Sequence, residues 1–128
     1  MKLRTLLAST SVAVLSGTLF IAPSASADST VPRFGTAQDP CPLGHVCYYS
    51  GYNQSGDWCG SSGDRPDSIC GLRYSYFNNG RQQTDYDHVY VSFKEGGKKC
   101  LHYGPDEGKG NLNGGKTIKS YYWGPECP

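Results

Sequence analysis

The chain lacks the pattern from which helices are built. From position 41 onward its apolar residues do not return every three to four positions, and Gly and Pro recur too often for a helix to run. It is also poor in aliphatic side chains. Beyond residue 27, Leu43, Val46, Ile69, Leu72, Val89, Val91, Leu101, Leu112 and Ile118 are most of them. An excess of one charge is missing as well. Lys2 and Arg4 are the only cations before residue 28, which leaves ten Lys and Arg against eleven Asp and Glu, a net charge near −1. Such a balance attracts neither nucleic acid nor an anionic membrane as a whole. No segment after residue 27 is apolar enough to span a bilayer. The common catalytic signatures are absent too: there is no G-x-S-x-G, no H-E-x-x-H and no paired-carboxylate motif. With no C-x-x-C, and with His45 and His102 isolated in the sequence, a structural zinc site is not expected. These absences argue against an enzyme, a nucleic-acid binder and a membrane protein.

What is present begins with an export signal. Residues 1–27 open on Lys2 and Arg4, continue through an uncharged, mostly apolar run and end on small residues, Ser24 to Ala27, before Asp28. That is the pattern of a secretory signal peptide, and it predicts an extracellular protein. The remaining residues, about one hundred, suit a single small domain. Residues 28–40 are polar, carry two Pro and show no periodicity, so a flexible leader is expected there and a single domain over 41–128.

All six cysteines, Cys41, Cys47, Cys59, Cys70, Cys100 and Cys127, lie in the exported part. An even count in an exported chain predicts three disulfides, each contributing about 2–4 kcal/mol. Six cysteines allow about fifteen connectivities, and sequence alone does not choose among them. Pairing of neighbours is favoured, Cys41–Cys47, Cys59–Cys70 and Cys100–Cys127. Pro42 and Gly44 turn the chain inside the first of these loops.

Aromatics supply the bulk that aliphatics do not: ten Tyr, joined by Phe34, Phe77, Phe93, Trp58 and Trp123. They gather with β-branched residues in short runs, 46–49, 72–77, 88–93, 100–103 and 118–123, separated by Gly- and Asn-rich turns. In 89–93, Val89, Val91 and Phe93 alternate with Tyr90 and Ser92. The fold expected is all-β, a small disulfide-stapled Greek-key sandwich or barrel. A weak internal echo lays "YYSGYNQSG" at 48–56 over "LHYGPDEGKG" at 101–110 and suggests two copies of one supersecondary unit.

The stretch "CPLGHVCYYSGYNQSG" at 41–56 resembles the opening motif C-P-x-G-x-x-C-x-Y-x-x-x-x-x-x-G of peptidase inhibitor family 36, the small secreted actinobacterial metalloproteinase inhibitors. The resemblance implies a βγ-crystallin-like fold whose two Greek keys would match the echo. It also implies a Cys41–Cys47 disulfide ahead of the first strand, and a folded-over hairpin closed by Gly56. The chain departs from the pattern in three ways. Gln54 stands where crystallins usually carry an aromatic, the short cysteine-bracketed reactive loop of the family has no clear counterpart, and the cysteine count is higher.

Crystallin-like domains often bind calcium through an N/D-N/D-x-x-S/T-S motif. Here Asn78 and Asn79 match its first pair, but Gln82 and Gln83 replace the hydroxyl residues. In a second copy at 115–120, only Ser120 is kept and Lys116 stands in an acceptor position. Neither offers a carboxylate in place, so at most weak calcium binding is expected and no cofactor is called for. Asp85, Asp87 and His88 form the nearest thing to an acid–base group. Adjacent strand residues point to opposite faces, so Asp87 and His88 are not expected to share a pocket, and a turn of solvated acids is the preferred reading.

The function expected is inhibition of a secreted protease, a metalloproteinase by the resemblance, by a monomer that binds through an exposed disulfide-held loop. The first choice is "CGSSGDRPDSIC" at 59–70, with Asp64, Arg65, Pro66 and Asp67 at its tip; a hairpin at 104–111 with Asp106 and Glu107 is second. The alternative is a non-inhibitory crystallin-like binding, stress or toxin-like module.

Overall fold

The computed structural model describes residues 32–128. The signal peptide read at 1–27, and the start of the leader, lie outside the described residues. Seven strands follow in chain order: β1 Arg33–Gly35, β2 His45–Tyr49, β3 Trp58–Ser61, β4 Gly71–Asn79, β5 His88–Phe93, β6 Lys98–Leu101 and β7 Lys109–Gly124. One helical turn, α1 Gly104–Glu107, stands between β6 and β7. The protein is all-β, one antiparallel sheet in the order β1-β3-β2-β4-β7-β5-β6. No described helix is long and apolar enough to cross a membrane.

The aromatic runs become strands for the reason their patterns suggest. In β5, Val89, Val91 and Phe93 are buried while Tyr90 and Ser92 are half-buried. In β2 every residue after His45 is buried, because the strand lies between β3 and β4 and is covered on both faces. Val46 and Tyr48 enter the main core, whereas Cys47 and Tyr49 face a second cluster with Cys41, Trp58 and Phe77. β3 carries no alternation that the sequence could show, since all four of its residues are buried.

Pairing begins earlier than the expected domain start at Cys41. Within the stretch read as a leader, Arg33–Gly35 pairs antiparallel with β3. The ring of Trp58 lies where a Cβ on Gly35 would stand, and its indole N–H donates to the Asp39 carbonyl at 2.9 Å. Gly35 is therefore the residue that lets β1 close over Trp58.

The internal echo exists, though not in the expected alignment. β2 and β3 form a hairpin, and β4 returns to pair on the far side of β2. β5 and β6 form a hairpin, and β7 returns to pair on the far side of β5. The β2–β3 turn thus corresponds to the β5–β6 turn, not to 101–110, where β6 ends and the connection to β7 begins. Gly and Tyr recur in both kinds of connection, so the letters alone misplaced the copy. The hairpin expected at 104–111 is also corrected: Pro105 opens a single helical turn, and β7 starts directly after it. The turn after β2 does close on Gly56 at φ +77°, where a Cβ would meet Ser50 Oγ.

The two halves of the sheet share one core. Val46, Tyr48, Cys59 and Tyr76 from one half pack with Val89, Val91, Phe93, Leu101, Ile118 and Tyr121 from the other. β7 joins them. Its first part pairs with β4 and its last part with β5, with register breaks between Arg73 and Ser75 and between Ser92 and Phe93. At the centre, the Tyr48 and Tyr121 rings sit 5.2 Å apart. Ser61 Oγ donates its single proton to the Gly63 carbonyl, so the Tyr121 hydroxyl donates to Ser61 across 2.8 Å.

Burial raises the phenol pKa of Tyr48 well above its ordinary value, with the nearby Tyr121 adding to it, and burial raises that of Tyr121 as well. A raised folded-state pKa means that stability is fully present below the unfolded value of 10.0 and falls as pH rises beyond it. Alkaline unfolding is expected above about pH 10, with these two tyrosines ionising only as the fold opens. A spectrophotometric tyrosine titration followed beside circular dichroism tests this. Full ionisation of all tyrosines before any loss of structure would count against it.

The three bridges are Cys41–Cys47, Cys59–Cys70 and Cys100–Cys127, the neighbour pairing, and no described cysteine is free.

Candidate functional site

The loop between β3 and β4 is closed at its base by Cys59–Cys70 and laid along β7. Arg65 N–H donates to the Tyr121 carbonyl at 2.8 Å, and Tyr121 N–H donates back to the Arg65 carbonyl at 2.9 Å. Ser68 N–H donates to the Lys119 carbonyl at 2.9 Å. The Asp64 carboxylate accepts the Trp123 N–H at 2.8 Å. Of the four residues expected at the tip, Asp64 and the Arg65 backbone are thus partly committed to the fold, while Pro66 and Asp67 are exposed. Ile69 is exposed as well, 63% accessible in an otherwise polar loop. Beside the loop runs a groove of about 600 Å³ lined by Leu43, Asp64, Arg81, Tyr86 and Trp123, among others. Leu43 and Tyr86 are exposed on its rim. Burial lowers the pKa of the His45 imidazole in its lining below the ordinary value, against a partial offset from the Leu43 backbone.

The second expected candidate, Asp106 and Glu107, is exposed on α1. Both line an open cavity of about 710 Å³ together with Asp85, Asp87, His88, His102 and Glu126. Two acidic tips that the sequence offered as alternatives are therefore on separate features, a stapled loop and the wall of a pocket.

Residues 35–93 match the model of peptidase inhibitor family I36. The resemblance read from the 41–56 motif stands with it, and the match supports a peptidase-inhibitor role in general. No curated protein and no solved structure matches the chain. The I36 segment runs from the end of β1 through β5. It contains the Cys41–Cys47 and Cys59–Cys70 bridges and the whole 62–69 loop, but neither α1 nor β7. The loop of first choice is thus inside the I36 segment, and the α1 candidate is outside it.

One sequence expectation is revised at the end of that segment. Asp87 and His88 do share a site: His88 Nδ1 lies 2.6 Å from Asp87 Oδ1, both residues are buried, and both line the acidic cavity. Alternation fails because β5 begins only at His88, leaving Asp87 in the turn before it. Asp87 is accordingly no solvated turn acid, although Asp85 and Tyr86 beside it are exposed. Asn78 and Asn79, the weak calcium candidates, are committed to the fold. Asn78 is fully buried; its amide donates to the Asp87 carbonyl at 2.8 Å and the Leu101 carbonyl at 3.3 Å, and its Oδ1 accepts the Gly80 N–H at 3.0 Å. Asn79 donates to the Cys41 carbonyl at 2.9 Å. The Asn78 side chain is a strut from β4 to the turn before β5 and to β6, so this pair is a poor start for a calcium site.

Sequence reasoning missed Ile69, Tyr86 and the groove, because exposure of an apolar side chain leaves no mark in local pattern. It also missed the contact of His88 with His102, which are 14 positions apart.

Proposed function

We propose that the protein inhibits a secreted metalloproteinase by laying the 62–69 loop in the enzyme's cleft, with Pro66 and Asp67 leading. The observation that carries this reading is the loop's anchoring. A disulfide and three backbone bonds to β7 hold it in one shape while its outer residues stay exposed. A loop fixed in its bound shape loses less entropy on docking. The Asp67 carboxylate offers an oxygen ligand to a protease zinc. Pro66 hinders cleavage after Arg65, so the loop suits a metalloproteinase better than a trypsin-like enzyme. Leu43 and Tyr86 on the adjoining groove add apolar contact at the rim.

The test is the inhibition constant of the secreted protein against thermolysin. It is measured for the intact chain, for Pro66→Ala with Asp67→Ala, and for Asp106→Ala with Glu107→Ala. Loss of a central anchor is expected to weaken inhibition by about thirtyfold or more, near 2 kcal/mol, in the first variant only. Asp64 is left in place because it ties Trp123 to the loop. Equal inhibition by all three proteins would remove both loop assignments. An intact chain that inhibits no protease would favour a non-inhibitory binding module.

A further inference from the structure

One side-chain cluster is not used by the inhibitory reading. At the mouth of the acidic cavity, His88 Nε2 and His102 Nδ1 face each other across 3.2 Å. His88 is 5% accessible and enters from β5; His102 is exposed and follows β6. Two nitrogens bound to one tetrahedral zinc at bond lengths of about 2.0–2.1 Å stand about 3.3 Å apart. The observed spacing, which the two rings use for a hydrogen bond, also matches that of two ligands on one ion.

The orientation of His88 is fixed from behind. Its Nδ1 lies against Asp87 Oδ1, and a carboxylate can only accept. The imidazole proton therefore sits on Nδ1, and Nε2 presents its lone pair toward His102. Asp87 is itself held, since its Oδ2 accepts the Gln83 N–H at 3.0 Å and its carbonyl accepts from Asn78. A buried carboxylate bonded to the far nitrogen is what metal-ligating histidines commonly have. Around the pair the cavity is lined by Asp85, Asp106, Glu107 and Glu126, and among the described residues by no Lys or Arg. Cys127 Sγ is also near, all three ligand atoms falling within 4.8 Å of one another, but its disulfide with Cys100 leaves no thiolate to give.

We propose that His88 Nε2 and His102 Nδ1 form a binding site for one zinc ion, oriented by Asp87, with water completing the coordination. Imidazole nitrogens suit zinc and disfavour calcium, which takes oxygen. The site is independent of the 62–69 loop, so it holds whether or not the loop inhibits a protease.

Calorimetric titration of the disulfide-intact protein with zinc alone tests it. One zinc per chain is expected, with calcium failing to compete. Zinc should perturb the ring-nitrogen resonances of His88 and His102 and leave His45 unmoved. His102→Ala, at an exposed position, should abolish this binding without changing Tm. Asp87→Asn should weaken it by about tenfold to a hundredfold. Zinc binding by His102→Ala equal to that of the parent would assign the ion to exposed carboxylates only and overturn the proposal. No zinc binding by the parent would leave the two histidines sharing a proton, and would overturn it too.

Discussion

Tyr121→Ala is expected to cost about 3–5 kcal/mol of stability, the range for an aromatic removed from a packed core. Small domains have about 5–15 kcal/mol in all, so the variant should be unfolded or close to it at ordinary temperature. The size of the effect comes from what Tyr121 joins. Its ring is fully buried against Tyr48, its hydroxyl donates to Ser61, and its backbone holds Arg65 of the loop. The ring is thus a central contact between the two halves of the sheet. Tyr121→Phe separates its components, because it keeps the ring and loses only the hydroxyl. Ser61 still donates to Gly63, so the loss should be near 1 kcal/mol, the usual net value of one hydrogen bond. Denaturant melts of the three proteins give both numbers. A Tyr121→Ala protein within 1 kcal/mol of the parent, on the scale just cited, would show that the halves are not joined through this ring.

The second large effect concerns the loop staple. Removing Cys59 and Cys70 together, both as Ala, reopens a loop closed over a sequence separation of 11. Chain entropy puts the cost at about 3 kcal/mol. The Cys41–Cys47 bridge spans a separation of only 6, and the same reasoning puts its loss at about 2 kcal/mol. Stability alone hardly distinguishes the two variants, but inhibition should. Without Cys59–Cys70 the loop keeps its hydrogen bonds to β7 but not its closed base, and more of the entropy of ordering it must be met on docking. Inhibition should weaken strongly in that variant, and remain near the parent value when Cys41 and Cys47 are replaced. The comparison is made well below both melting temperatures, so that folded protein is assayed in each case. Equal loss of inhibition in both variants would show that bridges act through global stability and not through the loop.

The all-β character of the protein, the number of its bridges and its resemblance to peptidase inhibitor family I36 were legible before any coordinates. Each rests on local information. β5 alternates because its two faces meet different surroundings, and that alternation is written in consecutive letters. The even count of exported cysteines predicts three bridges, and the 41–56 motif carries the family resemblance in adjacent positions. What only the tertiary structure decided depends on residues far apart in the chain. β1 and β3 pair where the Trp58 ring lies against Gly35, and their own sequences carry no alternation that demands it. The repeat is aligned by which strand each hairpin returns to, a property of topology that Gly and Tyr spacing cannot encode. Asp64 proved to be a tie to Trp123, whereas Pro66 and Asp67 face outward, because the loop is pinned to a strand some 55 residues later. Asp87, His88 and His102 meet because β5 and β6 pair, which sets Val89 opposite Leu101 and so places the residues flanking that pair together. Side chains separated in sequence converge only when backbone hydrogen bonding fixes the register, and register is a long-range quantity.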